Sequence, residues 1–146
     1  MIPTRRIAPL LLVAVFAGCK SSKPPAPTPA AAAAVLQAIP AVDRSTYQLP
    51  RDLNKWENPY LIVRADGVGL LDVANNEIHI FNADEVPDAL AKLPTTAWPY
   101  GRIVAIAEAA PAGNSEEERS VIRKNRAVVA GSLQSMQVLI HWVPKT

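Results

Sequence analysis

The dipeptide Asp66-Gly67 stands between two apolar runs, PYLIVR and VGLLDV. Asp-Gly is a strong two-residue hairpin signal, because the favoured turns need backbone conformations that these residues tolerate. The runs on either side are rich in β-branched and aromatic residues, so the chain from Pro59 to Asp72 is predicted to fold back as two antiparallel strands. Asn75-Asn76 gives a second turn. In the EIHIF that follows, Ile78 and Ile80 alternate with His79 and Phe81, the period of a third strand.

Beyond this meander the period changes. In NADEVPDALAKLP, Asp84 is expected to cap a short helix with Pro87 in its first turn, and Val86, Leu90 and Leu93 form one apolar stripe ended by Pro94. RIVAIAEA is a nearly uniform apolar run, typical of a central strand covered on both faces. A long helix is expected after Ser115. Ser115 and Glu118 match a capping box, three glutamates sit at the positive end of the dipole, and Ile122, Val129, Leu133 and Met136 recur along one side. QVLIHWV before Pro144 closes the chain as a strand. The order β-β-β-α-β-α-β predicts an α+β fold, a small two-layer sandwich with two helices on one mixed sheet.

The amino terminus has a different character. Arg5 and Arg6 precede an apolar run from Ile7 to Gly18, and twelve residues are too few to cross a bilayer core, which takes about 20. FAGC, with small residues before the single cysteine, resembles the lipobox of bacterial lipoproteins; Phe16 stands where leucine is usual. The resemblance implies cleavage before Cys19 and acylation of its sulfur, a covalent lipid on Cys19 being the only cofactor-like group expected. A lone cysteine has no partner for an internal disulfide, which agrees with that use. Lys20 follows where aspartate would favour inner-membrane retention, so the resemblance points to the periplasmic leaflet of the outer membrane. The expected organisation is a signal peptide over residues 1–18, a lipidated cysteine with a Pro/Ala-rich tether over 19–34, a lead-in over 35–56, and the globular domain over 57–146. Four prolines between Lys20 and Ala34 favour extended backbone in the tether. The alanine run into Val35, Leu36 and Ile39 is compatible with a short helix ended by Pro40.

Charge excludes two partner classes. Without Arg5 and Arg6, 13 basic residues face 13 acidic ones, so no basic surface for nucleic acid or anionic lipid is expected. Enzymatic chemistry is not expected either. There is no G-x-S-x-G, P-loop or G-x-G-x-x-G, and His79 and His141 lie in predicted strands without ligand-like spacing, so no metal site is expected. A small hydrolase built on a histidine and a carboxylate is the least favoured alternative. Two stretches are candidate interaction surfaces. Trp98, Tyr100 and Arg102 share the loop AWPYGR, and Arg119, Arg123 and Arg126 fall at i, i+4, i+7 as an unpaired basic stripe beside Lys124.

Taken together, LIVRADGVGLLD, DEVPDALAKL, GRIVAIAEA, the long helix and QVLIHWV resemble the periplasmic domain of the ExbD/TolR biopolymer-transport family. That family has an amino-terminal transmembrane helix where this chain has a lipoprotein leader, so energy coupling is not implied; the fold and a habit of dimerising or touching envelope partners are. Arg126-Ala127, with Ile122 before it, is similar to the arginine-alanine pair of OmpA-like peptidoglycan-binding domains, although Arg123 stands where serine is usual and AEAAPAGN offers no matching aspartate. The function expected is a lipid-anchored, periplasm-facing envelope protein whose domain is a non-enzymatic protein-interaction or self-association module, with peptidoglycan binding as the alternative.

Overall fold

The computed structural model describes residues 28–45, 55–72, 75–113 and 115–144. The expected leader and Cys19 lie outside them. Strands β1 (Tyr60–Arg64), β2 (Gly67–Asp72) and β3 (Glu77–Phe81) form the antiparallel meander. Its first turn is shifted by one residue from the prediction. Arg64 pairs with Gly67, so Ala65 and Asp66 form the turn, and two Arg64–Asp66 hydrogen bonds of 2.7 and 2.9 Å brace it. Gly67 instead opens β2 at φ +141°, and a Cβ there would stand 2.5 Å from the carbonyl oxygen of Phe81. Close approach of β3 is what demands glycine.

Strand β4 (Ile103–Glu108) pairs parallel with β1, and β5 (Leu139–Trp142) pairs parallel with β4. The sheet order is β3-β2-β1-β4-β5, a single mixed sheet as the α+β reading requires. Residues Ile103 to Ile106 are all buried, in agreement with an interior strand covered on both faces.

Among the described residues three helices, one more than the two expected on the sheet, pack on one face: α1 (Pro29–Ala38), α2 (Val86–Ala91) and α3 (Glu116–Ser135). Leu61, Val63, Val68, Val104 and Ile106 from the sheet meet Leu36, Leu90, Ile122, Val129 and Leu133 from the helices in one core. Helix α1 therefore belongs to the domain. It starts within the segment expected to be tether, and Ala32, Leu36 and Ile39 are buried. Alanines favour helix, and the proline at its first position costs no hydrogen bond. In α2, Glu85 rather than Asp84 takes the cap position, and its carboxylate accepts from the Asn82 N–H at 3.0 Å. Among the described residues no helix is long and apolar enough to cross a membrane.

Helix α3 begins as predicted, the Ser115 hydroxyl accepting from the Glu118 N–H at 3.2 Å. It ends in a way the sequence conceals. Gln137 adopts φ +59°, its N–H donates to Gln134, and the Val138 N–H donates to Leu133. That is a Schellman motif with glutamine where glycine is usual.

The opposite face of the sheet carries no helix among the described residues. Trp56, Tyr60, Ile103 and Ala105 form a smaller cluster there, with Ile62, Leu71, Tyr100 and Leu139 packed around it. Toward the β3 edge the cover thins, and Ile78 and Ile80 are 42% and 43% exposed.

Candidate functional site

The six expected surface residues separate to the two ends of β4. Trp98, Tyr100 and Arg102 precede its first residue, whereas Arg119, Arg123 and Arg126 surround its last. Six extended residues hold these groups roughly 20 Å apart.

At the first end the loop is a structural hub. Trp98 is 4% exposed and closes the helix-side core. Asn58, itself 2% exposed, donates through Nδ2 to the carbonyls of Gly101 and Ile103, each at 2.8 Å, and accepts from the Tyr100 N–H at 2.9 Å. The Tyr100 ring lies 5.4 Å from that of Trp56, and its hydroxyl donates to the Lys55 carbonyl. Arg102 spends its donors on backbone: Nε on the carbonyl of Gln137 and Nη1 on that of Gln37, both at 2.9 Å. It joins the end of α1 to the left-handed turn after α3.

The second end holds the candidate site. Strands β1, β4 and β5 are parallel, so their carboxyl ends lie side by side, and two consecutive residues of α3 reach all three. Asn125 donates to the carbonyl of Arg64 at 2.9 Å. Arg126 donates to Glu108 Oε1 at 2.5 Å and places its guanidinium 4.2 Å from the centre of the Trp142 ring. At the first residue of α3, the Glu116 carboxylate is shared, Oε1 accepting from Arg123 at 2.7 Å and Oε2 from Arg119 at 3.4 Å. Hydrogen bonding and charge from Arg123, helped by Arg119, hold the Glu116 carboxyl below its ordinary range. The expected stripe is therefore not unpaired. Glu108 is 18 residues from Arg126 in sequence, and only the parallel β4-α3-β5 path brings them together.

Glu108, Arg119, Arg123 and Arg126 line a pocket of about 260 Å3, with Ala109, Pro111 and Ile122 as its apolar wall. Exposure divides its contents. The Glu108 side chain is 13% exposed, whereas those of Glu116 and Arg123 are 69% and 62% exposed. Three arginines, each 42% to 62% exposed, beside one nearly enclosed carboxylate suit recognition of an anion that arrives from solution, since guanidiniums bind carboxylates with directed, paired donors.

The histidines stand elsewhere. His79 lies on β3 at a rim of a larger groove of about 530 Å3, floored by Leu70, Phe81, Ala89 and Leu93, and it is 3.9 Å from the exposed Glu77. His141 faces the helix-free side, 6.2 Å from the Trp56 ring, and burial lowers its pKa. Among the described residues no group of three or more histidine, cysteine or acidic side chains is placed to hold a metal ion. Comparison with protein-family models, curated proteins and solved structures finds no match. The functional reading rests on the residues themselves.

Proposed function

We propose that this chain is a bacterial lipoprotein, acylated at Cys19 and held on the periplasmic side of the envelope, preferentially at the outer membrane, and that its α+β domain is a non-enzymatic interaction module. The leader pattern and FAGC support the anchor. Replacing Cys19 with serine should move the protein from the membrane fraction to the soluble fraction; unchanged membrane association would overturn the anchor.

The free edge of β3 carries the module reading. Among the described residues β3 pairs only with β2, and it presents neither lysine nor proline, the usual protections of an exposed edge. The occupant that fits is a second copy. Antiparallel pairing about His79 sets Ile78 of one copy opposite Ile80 of the other, continuing the helix-free apolar face. It also sets each Glu77 diagonal to the other copy's His79, within reach across the new strand pair. The test is the mass of the full-length protein in detergent solution, with the detergent contribution subtracted. A dimer is expected; a monomer at all concentrations would sink self-association.

The arginine pocket favours a second reading, binding of the acidic peptides of peptidoglycan. Arg126 is the residue that resembles the OmpA-like pair, and Glu108 and Arg123 stand around it in one pocket. Full-length protein is expected to pellet with purified peptidoglycan, and Arg123→Gln to pellet several-fold less. Failure of both the wild type and Glu116→Gln to pellet would remove this reading.

A further inference from the structure

We propose that Glu116 is a resident stand-in for the ligand of the arginine pocket: its carboxylate occupies the place that a carboxylate of an incoming acidic peptide takes, and the peptide binds by displacing it. The inference rests on the peptidoglycan reading above and names the subsite and its control.

Three observations converge. The first is geometric, because Glu116 presents one oxygen to each of Arg123 and Arg119, at 2.7 and 3.4 Å, the two-oxygen arrangement that a planar carboxylate makes and a single-atom anion does not. The second is the contrast between the two acids. Glu108 is nearly enclosed and fixes Arg126 against Trp142, so it is part of the frame; Glu116 is 69% exposed and engages Arg119 and Arg123, two of the lining residues, without lining the pocket itself, so water or another carboxylate can replace it. Exposed ion pairs of this kind contribute little, so the resident group is easily exchanged. The third is size. At about 260 Å3 the pocket falls below the range of sites that enclose a whole small molecule, and its wall of Ala109, Pro111 and Ile122 offers a small apolar group a seat beside the charge. A carboxylate next to a methyl-sized side chain, at the end or branch of a short peptide, fits that combination.

The neighbouring Glu117 makes the idea testable apart from general electrostatics, since it carries the same charge one residue away, whereas Glu116 is the acid bonded to Arg119 and Arg123. The probe is soluble muropeptides prepared from purified peptidoglycan, titrated calorimetrically into the full-length protein in detergent. The control probe is the same material with its carboxylates converted to carboxamides. Glu116→Gln should bind native muropeptides about fivefold more tightly than wild type. Glu117→Gln should match wild type within about twofold, Arg123→Gln should bind at least about tenfold more weakly, and the carboxamide probe should bind none of them. Binding by Glu116→Gln where wild type shows none would equally support displacement. If wild type binds, Arg123→Gln loses binding and Glu116→Gln is unchanged or weaker, peptide recognition stands and the stand-in role is overturned. An equal gain from Glu117→Gln would overturn it too, as a net-charge effect. No binding by wild type or Glu116→Gln, or equal binding of the carboxamide probe, removes both readings.

Discussion

The guanidinium of Arg126 lies 4.2 Å from the centre of the Trp142 ring while its Nη1 is held by Glu108. This sandwich joins α3 to the carboxyl ends of β4 and β5. Arg126→Ala removes a cation–π contact and takes this partner from a carboxylate that is only 13% exposed, so a loss of about 2 kcal/mol is expected. Arg126→Lys keeps the charge but not the flat stacking surface, and should lose about half as much. Urea midpoints of the three proteins check this; a loss below about 0.5 kcal/mol for the alanine variant would mean the sandwich contributes no more than an ordinary surface pair.

Asn58 should prove the most sensitive polar residue of the fold. Its three hydrogen bonds are to the backbone of Tyr100, Gly101 and Ile103, and its amide is buried. Asn58→Ala is expected to lower stability by about 3 kcal/mol, and Asn58→Asp by more, because a carboxylate would face two carbonyl oxygens without a donor to give them. Denaturant unfolding of both variants gives the comparison.

Much of this architecture was legible because it is local. Ser115 reports its helix through Glu118, three residues away, and the stripe from Ile122 to Met136 needs only the helical period. The turn before Gly67 was legible only to within a residue, since the need for glycine comes from the Phe81 carbonyl on another strand. The candidate site was half legible. The spacing of Arg119, Arg123 and Arg126 put them on one face, but their acids are set by helix geometry at Glu116 and by sheet topology at Glu108. The structural part Arg102 plays was hidden for the same reason, its carbonyl partners lying 35 and 65 residues away. Gln137 gave no signal at all, because a left-handed residue after a helix is read from glycine or asparagine.

Two glycines separate backbone strain from crowding. Gly101 has φ +80°, and a Cβ there would lie 2.7 Å from the Ala41 carbonyl oxygen and 2.9 Å from that of Pro40; Gly113 has φ +74° with nothing within 4 Å. Gly113→Ala should cost about 1 kcal/mol, the price of the left-handed conformation. Gly101→Ala should cost clearly more and should also loosen α1, because Pro40 is bonded to the Arg102 N–H at 2.8 Å in the same junction. Hydrogen exchange of the α1 amides reads the second effect: faster exchange in the Gly101 variant, unchanged in the Gly113 variant.

Burial lowers the pKa of His141, so the unfolded chain takes up its proton first as pH falls. Above the ordinary histidine value both states are neutral and His141 adds no pH dependence. Stability should fall as pH is lowered from about 6.5 toward the depressed folded value. His141→Gln should flatten the urea-midpoint curve in that window only. Glu116 acts lower, its depressed pKa giving stability that is present above its ordinary value near 4.5 and lost as pH drops through the folded one. Glu116→Gln should therefore leave the neutral-pH slope untouched and flatten the acidic one.

Ile80 decides whether β3 is an interface. On the helix-free face its side chain leans over β2, with Cγ2 3.0 Å from where a Cβ of Gly67 would be, yet it remains 43% exposed. Ile80→Lys keeps an aliphatic stem to lie over the glycine and sends the charge to solvent, so folding stability should change by about 0.5 kcal/mol or less. A second copy, in contrast, would have to bury that ammonium against Ile78, with no carboxylate directly opposite it. Lysine on an exposed edge is a common device against strand pairing. The substitution is therefore expected to shift the full-length protein in detergent from dimer to monomer while its unfolding midpoint stays near wild type. If the dimer persists in both Ile80→Lys and Ile78→Lys, association runs through another surface and β3 is not the interface.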